Sequence, residues 1–297
     1  MQTHAVNSCY TSSESWSILS EIERSIKSKI EVAGVPLKDW DIQINYGIKT
    51  GFNDAFIIDS VKRNEILSAC QCEDERQRTA EIIRPILRGR DIKRYGYVFA
   101  EQYLIATFPA KQYDIDNYPA LKDYLLAIGI ERLEQTGEEH IVNGERVKAR
   151  KKTNNKWFET QDSISYWDEF SKPKIIWAEL SRTGNSFAYS DDGAMVLNTC
   201  YILSFNDEVQ HEKELKNLLG FLNSKVALFY LDIISSKLDE TGWRWLKQFV
   251  ELIPVPAHLA FEEEGPLSNK DSASINAQLY RQLGFSPDEI EYLESLN

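Results

Sequence analysis

The spacing of hydrophobic residues changes its period once along this chain, and that change limits the fold more than any other feature. From Glu139 to Phe205 apolar residues sit in short runs broken by turn residues. His140-Ile141-Val142 and Glu145-Arg146-Val147 flank Asn143-Gly144, the strongest short signal for a β-hairpin, and they set Glu139 opposite Lys148. Lys174 to Trp177, Phe187 to Tyr189, Met195 to Leu197 and Thr199 to Phe205 read as further strands, with Asp192-Gly193 in a turn. After His211 the period becomes helical: Leu215, Leu218, Leu219, Leu222, Val226 and Phe229 trace one apolar stripe. The pattern predicts an α+β fold, with an antiparallel, β-rich middle and flanking helices.

The flanks fill in the outline. Leu19, Ile22, Ile26, Ile30 and Ala33 predict an amphipathic helix over 14–33, with Thr11 and Glu14 as a capping box and Gly34 and Pro36 as its end. Ile42 to Ile44, Phe56 to Ile58, Tyr97 to Phe99 and Tyr103 to Ile105 read as strands. Residues 73–84 read as a helix stopped by Pro85, and Tyr118-Pro119 opens another that runs to Leu133. Ile253-Pro254-Val255-Pro256 is extended, 261–272 is an acidic linker, and helices follow near 274–283 and 287–295, the latter capped by Ser286. The expected organisation is a leading segment over 1–40, a main domain over 41–258, and an acidic linker with terminal helices over 259–297.

Several chemistries find no support in the sequence. No apolar run approaches the roughly 20 residues that span a bilayer, and the first residues lack a secretion signal, so a cytoplasmic protein without a membrane partner is expected. Cys9, Cys70, Cys72 and Cys200 are too few for a disulfide framework, and Cys70-Gln71-Cys72 lacks metal-knuckle spacing. The four histidines, His4, His140, His211 and His258, have no ligand spacing either. No glycine-rich strand-loop-helix turn and no phosphate loop is evident. Clustered carboxylates with a nearby lysine, as metal-dependent nucleases need, are missing too. No catalytic residue and no metal ligand is assigned.

Charge is unevenly spread. The net charge is −12, which argues against binding a polyanion. Yet Arg76 to Arg94 holds seven basic and two acidic residues, and Arg146 to Lys156 holds six basic and none acidic. The stretch from Ala260 to Asn297 holds eight acidic and two basic ones. What a nucleic acid feels is the local potential, so acidic ends are compatible with a basic cleft. Arg146, Lys148, Arg150, Lys151 and Lys152 leave the predicted hairpin, and Asn154, Asn155, Lys156 and Trp157 follow. A two-stranded ribbon fits the major groove, where Arg or Lys reads guanine and Asn reads adenine. The other reading is a solvated hairpin neutralised by Glu138 and Glu139. Arg88, Arg90, Lys93 and Arg94 are open in the same way, as phosphate clamps or as internal partners of Asp91 and other carboxylates.

A resemblance adds to these readings. Gly47-Ile48-Lys49-Thr50-Gly51-Phe52-Asn53-Asp54-Ala55-Phe56 and Ile86-Leu87-Arg88-Gly89-Arg90-Asp91-Ile92 open it. It continues through Lys172 to Trp177, Leu219 to Lys225, Gly242 to Trp245, Ile253 to Pro256 and Leu279 to Ser286. In this order the motifs resemble the TaqI-like C-terminal specificity domain of type IIG restriction-modification enzymes and adenine-specific DNA methyltransferases, over nearly the whole chain from Trp16. The resemblance implies that 41–258 is a target-recognition domain that contacts double-stranded DNA in the major groove, and that 1–40 is the connector from a preceding domain that flips and methylates adenine. The Asn/Asp-Pro-Pro-Tyr/Phe tetrapeptide of such catalysts does not occur here. S-adenosylmethionine is therefore expected only in a separate catalytic domain, and no cofactor in this chain. The chain is expected to be a fragment or split subunit that partners the methyltransferase and endonuclease domains of the same enzyme. Lys49 and Asn53 join the expected DNA-contacting residues on this basis. A scaffold that docks a methyltransferase or nuclease without reading DNA is the alternative.

Overall fold

The computed structural model describes residues 19–182, 184–207, 211–235, 237–239 (backbone only), 242–261 and 267–296. The chain enters through α1 (Glu21–Ala33), β1 (Gly34–Pro36) and β2 (Ile42–Tyr46). Next come α2 (Asn53–Phe56), β3 (Ile57–Asp59), α3 (Ser60–Ala69), α4 (Glu73–Ile82), β4 (Ile83–Leu87) and β5 (Gln102–Ile105). The middle holds α5 (Pro119–Ile128), α6 (Ile130–Leu133), the hairpin β6 (Glu139–Val142) and β7 (Glu145–Lys148), then β8 (Lys174–Ala178), β9 (Leu180–Ser181), β10 (Phe187–Ser190), β11 (Met195–Val196) and β12 (Cys200–Phe205). It closes with α7 (Glu212–Leu222), α8 (Lys225–Ile234), β13 (Lys237–Asp239), β14 (Gly242–Arg244), α9 (Lys247–Val250), β15 (Pro254–Pro256), α10 (Ser272–Gln282) and α11 (Pro287–Ser295). The fold is α+β.

Strands β10, β8, β12 and β2, in that order, form an antiparallel sheet that is buried on both faces. Because side chains alternate along a strand, Ile44, Ile175, Trp177, Phe187, Tyr201 and Leu203 enter one core, shared with α1, α7, α8, α10 and α11. Ile176, Ala188, Cys200 and Ile202 enter a second core, shared with β3, β4, β5 and α5. A second sheet, ordered β11, β4, β5 and β3, lines that second core. Segments far apart in the chain meet in the first: β1 pairs antiparallel with β15, and Ile26 and Ile30 of α1 are fully buried there.

Several expectations need correction. The Thr11–Glu14 capping box lies outside the described residues; α1 begins at Glu21, where Ser20 and Glu23 form a capping box. Pro85 does not stop a helix but sits within β4. There β5 borders residues 83–85 and β11 borders 86–87, so the missing N–H of proline falls on an open side of the strand. Tyr97 makes only an isolated bridge to Ile92, with no strand at 97–99. The helix expected from Pro119 to Leu133 breaks at Gly129, whose φ of 108° lies in the left-handed half of the map. The turn at Asp192-Gly193 carries the chain from one sheet to the other, since β11 runs parallel to β4 instead of pairing with β10.

The single apolar stripe beyond His211 is two helices, α7 and α8, bent by 66°. No single helix among the described residues is long and apolar enough to cross a membrane. The bend has a cause in Asn223, which is fully buried between them. Its side-chain oxygen accepts from the Phe187 N–H at 3.0 Å and its amide donates to the Phe187 carbonyl at 2.9 Å, so the break is pinned to β10. Asn223→Ala strands the Phe187 N–H, while the Phe187 carbonyl keeps the Tyr95 N–H at 2.7 Å, and is expected to destabilise the fold by about 1–3 kcal/mol in urea unfolding; an unchanged midpoint contradicts this role.

Helix α11 is tied to α1. Glu289 accepts from Lys29 at 2.7 Å and Ser25 at 2.6 Å, and from the backbone of its own cap Ser286. Burial opposes its ionisation, but these donors and the Lys29 charge hold the Glu289 carboxyl down at about 2, against 4.5 in the free side chain. A depressed carboxyl stabilises the fold fully above the unfolded value and loses that contribution as pH falls toward the folded one. Unfolding free energy is therefore expected to drop between pH 4.5 and 2, and the drop should be smaller in Glu289→Gln; equal slopes in both proteins contradict the latch.

Candidate nucleic-acid interface

The hairpin forms as its turn residues require. Asn143 and Gly144 take φ values of 51° and 85°, the pair of left-handed residues that a two-residue turn needs. Glu139 faces Lys148 and Ile141 faces Arg146 across the ribbon, in the register expected. These four side chains share the exposed face, while His140, Val142 and Val147 are half-buried on the other. Glu139 and Lys148 do not approach closely enough to form an ion pair, so the lysine charge is not cancelled by its cross-strand neighbour.

At the root of the ribbon lies a basic pocket of about 340 Å³, lined by Lys49, Phe52, Arg132, Lys148, Lys151 and Gln161 together with Gly51, Ala149 and Arg150. Arg132 lies 4.4 Å above the Phe52 ring and donates to the Lys148 carbonyl at 2.6 Å, which ties helix α6 to the strand. Arg132 was not singled out from the sequence, because its nearest charged neighbour in the chain is Glu131 and nothing local marks it as part of a basic cluster. None of Lys49, Arg132, Lys148 and Lys151 has a carboxylate partner among the described residues.

Arg150 is the main correction in this segment. It is only 4% exposed. Its guanidinium donates to the carbonyls of Leu133, Thr50, Glu159 and Trp157 at 2.6–2.9 Å and lies 4.9 Å from the Phe56 ring centre. Burial pulls its pKa down to about 10, with Glu159 opposing. Arg150 thus ties together three segments, the end of α6, the loop at Thr50 and the loop at 157–159, and spends its donors on their carbonyls. Asn155 is committed internally as well, donating to the Thr160 and Gln161 carbonyls. Trp157 is half-buried with its edge on Phe158, and Asn53 accepts from Thr50 at 2.7 Å. Lys156 is exposed, and its ammonium lies 3.4 Å from the Tyr113 carbonyl. Lys151, Lys152 and Asn154 remain exposed, as do Arg146 and Lys148 on the ribbon.

The other basic segment divides in the same way. Arg88 is the internal partner of Asp91: Nε and Nη2 each donate to its carboxylate at 2.9 Å, and the Arg88 N–H adds a third bond. Burial works against ionisation of Asp91, but Arg88 keeps its carboxyl below the ordinary value. Arg94 is half-buried and donates to the Asn223 carbonyl. Arg90 and Lys93 are exposed and line a second pocket of about 160 Å³, with Gly89, Ala178, Leu180, Ser181, Arg182 and Ser186. Gly89 is closely packed: a Cβ there would stand 3.1 Å from that of Ala178, which would have to shift by a few tenths of an ångström.

The two pockets adjoin a single turn, Asn198-Thr199, which the sequence did not single out. The Asn198 N–H donates to the Ile48 carbonyl, one residue before Lys49. The Thr199 hydroxyl lies 3.8 Å from where a Cβ on Gly89 would stand, and its carbonyl accepts from Glu179, next to Ala178. Both residues are exposed. Tyr46 ends β2, Cys200 begins β12, Ala178 ends β8 and Phe187 begins β10, so both pockets and the turn gather at one end of the central sheet.

Comparison with known proteins agrees with the motifs. No curated protein matches the chain. Among solved structures, the type IIG restriction endonuclease BpuSI aligns over 93% of this chain and 28% of its own, with 13% identity and a TM-score of 0.48. The type IIL restriction-modification enzyme MmeI, solved in complex with DNA, aligns over 86% and 29%, with 13% identity and a TM-score of 0.44. The chain thus spans less than a third of either protein. The family described as the TaqI-like C-terminal specificity domain matches residues 84–255, which takes in Arg88 to Lys93, the hairpin and the central strands β8, β10 and β12 but leaves Gly47 to Phe56 ahead of the match. More than half of its residues carry that match, and the chain belongs to the TaqI-like C-terminal specificity domain family, the target-recognition part of restriction-modification enzymes.

Proposed function

We propose that this chain is the sequence-specific DNA-recognition module of a restriction-modification enzyme, working in the cytoplasm on double-stranded DNA. Methyl transfer from S-adenosylmethionine, and any cleavage, belong on this reading to methyltransferase and endonuclease domains that it serves. The observation that carries the proposal is the pocket of Lys49, Arg132, Lys148 and Lys151: four cations without carboxylate partners among the described residues, in a chain of net charge −12. Like charges held together cost free energy unless a ligand neutralises them, and backbone phosphates do so while releasing counterions. The exposed ribbon face of Arg146 and Lys148 extends that surface, and Arg90 and Lys93 add to it at the second pocket. Arg88 and Arg150 are left out of the interface, because their donors are already used within the protein.

Binding to a 20-bp duplex is expected to weaken steeply with salt, and Lys49→Ala and Lys148→Ala should each reduce the slope of log K against log salt by about 1. A folded protein that shows no binding at low salt contradicts the proposal and favours a scaffold that docks the catalytic domains. Arg150→Ala should behave differently. It removes the shared donor of four carbonyls and is expected to lower stability by about 3–5 kcal/mol in chemical unfolding, whereas Lys151→Ala should stay within ~0.5 kcal/mol of the parent.

A further inference from the structure

We infer that the Asn198-Thr199 turn reads a base edge between two phosphate grips, with Asn198 selecting adenine. This rests on the DNA-recognition reading above. Contacts to phosphate position a protein on the duplex, whereas neutral polar groups facing the bases carry sequence information. The two basic pockets supply the first kind of contact. Between them, one residue from Lys49 on one side and packed on Gly89 on the other, stands a turn with no charge of its own.

The geometry sets the scale. From Lys49 across Asn198 and Thr199 to Gly89 the path is three steps of roughly 4–5 Å each. The grips therefore stand within roughly 15 Å of each other, comparable to the major groove at about 12 Å. The state of the asparagine amides is the second observation. Asn53 spends its side-chain oxygen on Thr50 and Asn155 its amino group on two carbonyls, and Asn154, though exposed, lacks the backbone bond that holds Asn198 beside Ile48. Asn198 is exposed, and only its backbone is engaged: its N–H holds Ile48, while the side-chain amide has no partner within the described protein. A free carboxamide offers one donor and one acceptor side by side, the pair that matches N7 and N6 of adenine. The backbone bond to Ile48 fixes the turn before DNA arrives, so little ordering is left for binding.

Selection of the full chain from a pool of randomised duplexes, followed by sequencing of the bound fraction, tests this. The parent protein should enrich a motif containing an A·T pair. Asn198→Ala should lose preference at one position of that motif, by roughly 5- to 150-fold in discrimination, with the same salt slope and the same melting curve. Asn198→Asp, which can only accept, should shift that position toward the cytosine amino group. The inference is overturned if Asn198→Ala enriches the same motif as the parent, if it weakens all sequences equally, or if the parent binds salt-dependently but enriches nothing. In those cases DNA binding through the basic pockets still stands. Absence of binding by the parent at low salt overturns both.

Discussion

The sheet formed by β10, β8, β12 and β2 is the wall on which both halves of the molecule are built. Its strands β8, β10 and β12 are apolar on both faces, so each of these three is held by two cores at once, while β2 joins the first through Ile42 and Ile44. Trp177 stacks on Tyr201 at 5.2 Å on one side, and Ile176 and Ile202 are fully buried on the other. A slip of register by one residue would exchange the two sets, and the large aromatic residues could not fit the opposite core. That constraint fixes the end of the sheet where Lys49, Asn198, Gly89 and Ser186 gather. Loops anchored on such a wall can hold charges close together that would otherwise separate.

The cations of this chain divide into two populations, and burial decides between them. Arg150 and Arg88 are fixed by dense hydrogen bonding to carbonyls or to a carboxylate, and they act as internal ties. Lys49, Lys148, Lys151 and Arg90 keep their charges at the surface, within one end of the fold. The first population holds the second in place: Arg150 bonds Thr50 and Leu133, next to Lys49 and Arg132, and itself neighbours Lys151. The overall charge of −12 therefore describes the whole molecule poorly. Acidic residues such as Glu289 and Glu23 serve the packing of α1 on α11, in the first core.

Much of this was legible in the sequence where the signal is local. The hairpin register follows from Asn143-Gly144, the strands β8 and β12 from their apolar runs, and the cap of α11 from Ser286 and Pro287. Features that depend on distant partners were not legible. Whether Arg88 and Arg150 have free donors is set by Asp91 folding back onto one and by carbonyls of three separate segments meeting at the other. The break at Asn223 is fixed by Phe187, 36 residues away, and β11 crosses to pair with β4, more than 100 residues back in the chain. Arg132 and the Asn198-Thr199 turn reach the basic surface only through tertiary contacts, so no run of charge announces them.

The central claim is that DNA lies across one end of the central sheet. Hydrogen–deuterium exchange of the chain with and without a 20-bp duplex at low salt tests it most directly. The account predicts slower exchange, confined to the backbone around 48–52, 88–93, 145–152 and 198–199, and reversed by added salt. Protection confined to α1, α10 and α11, or no protection despite binding, would contradict it.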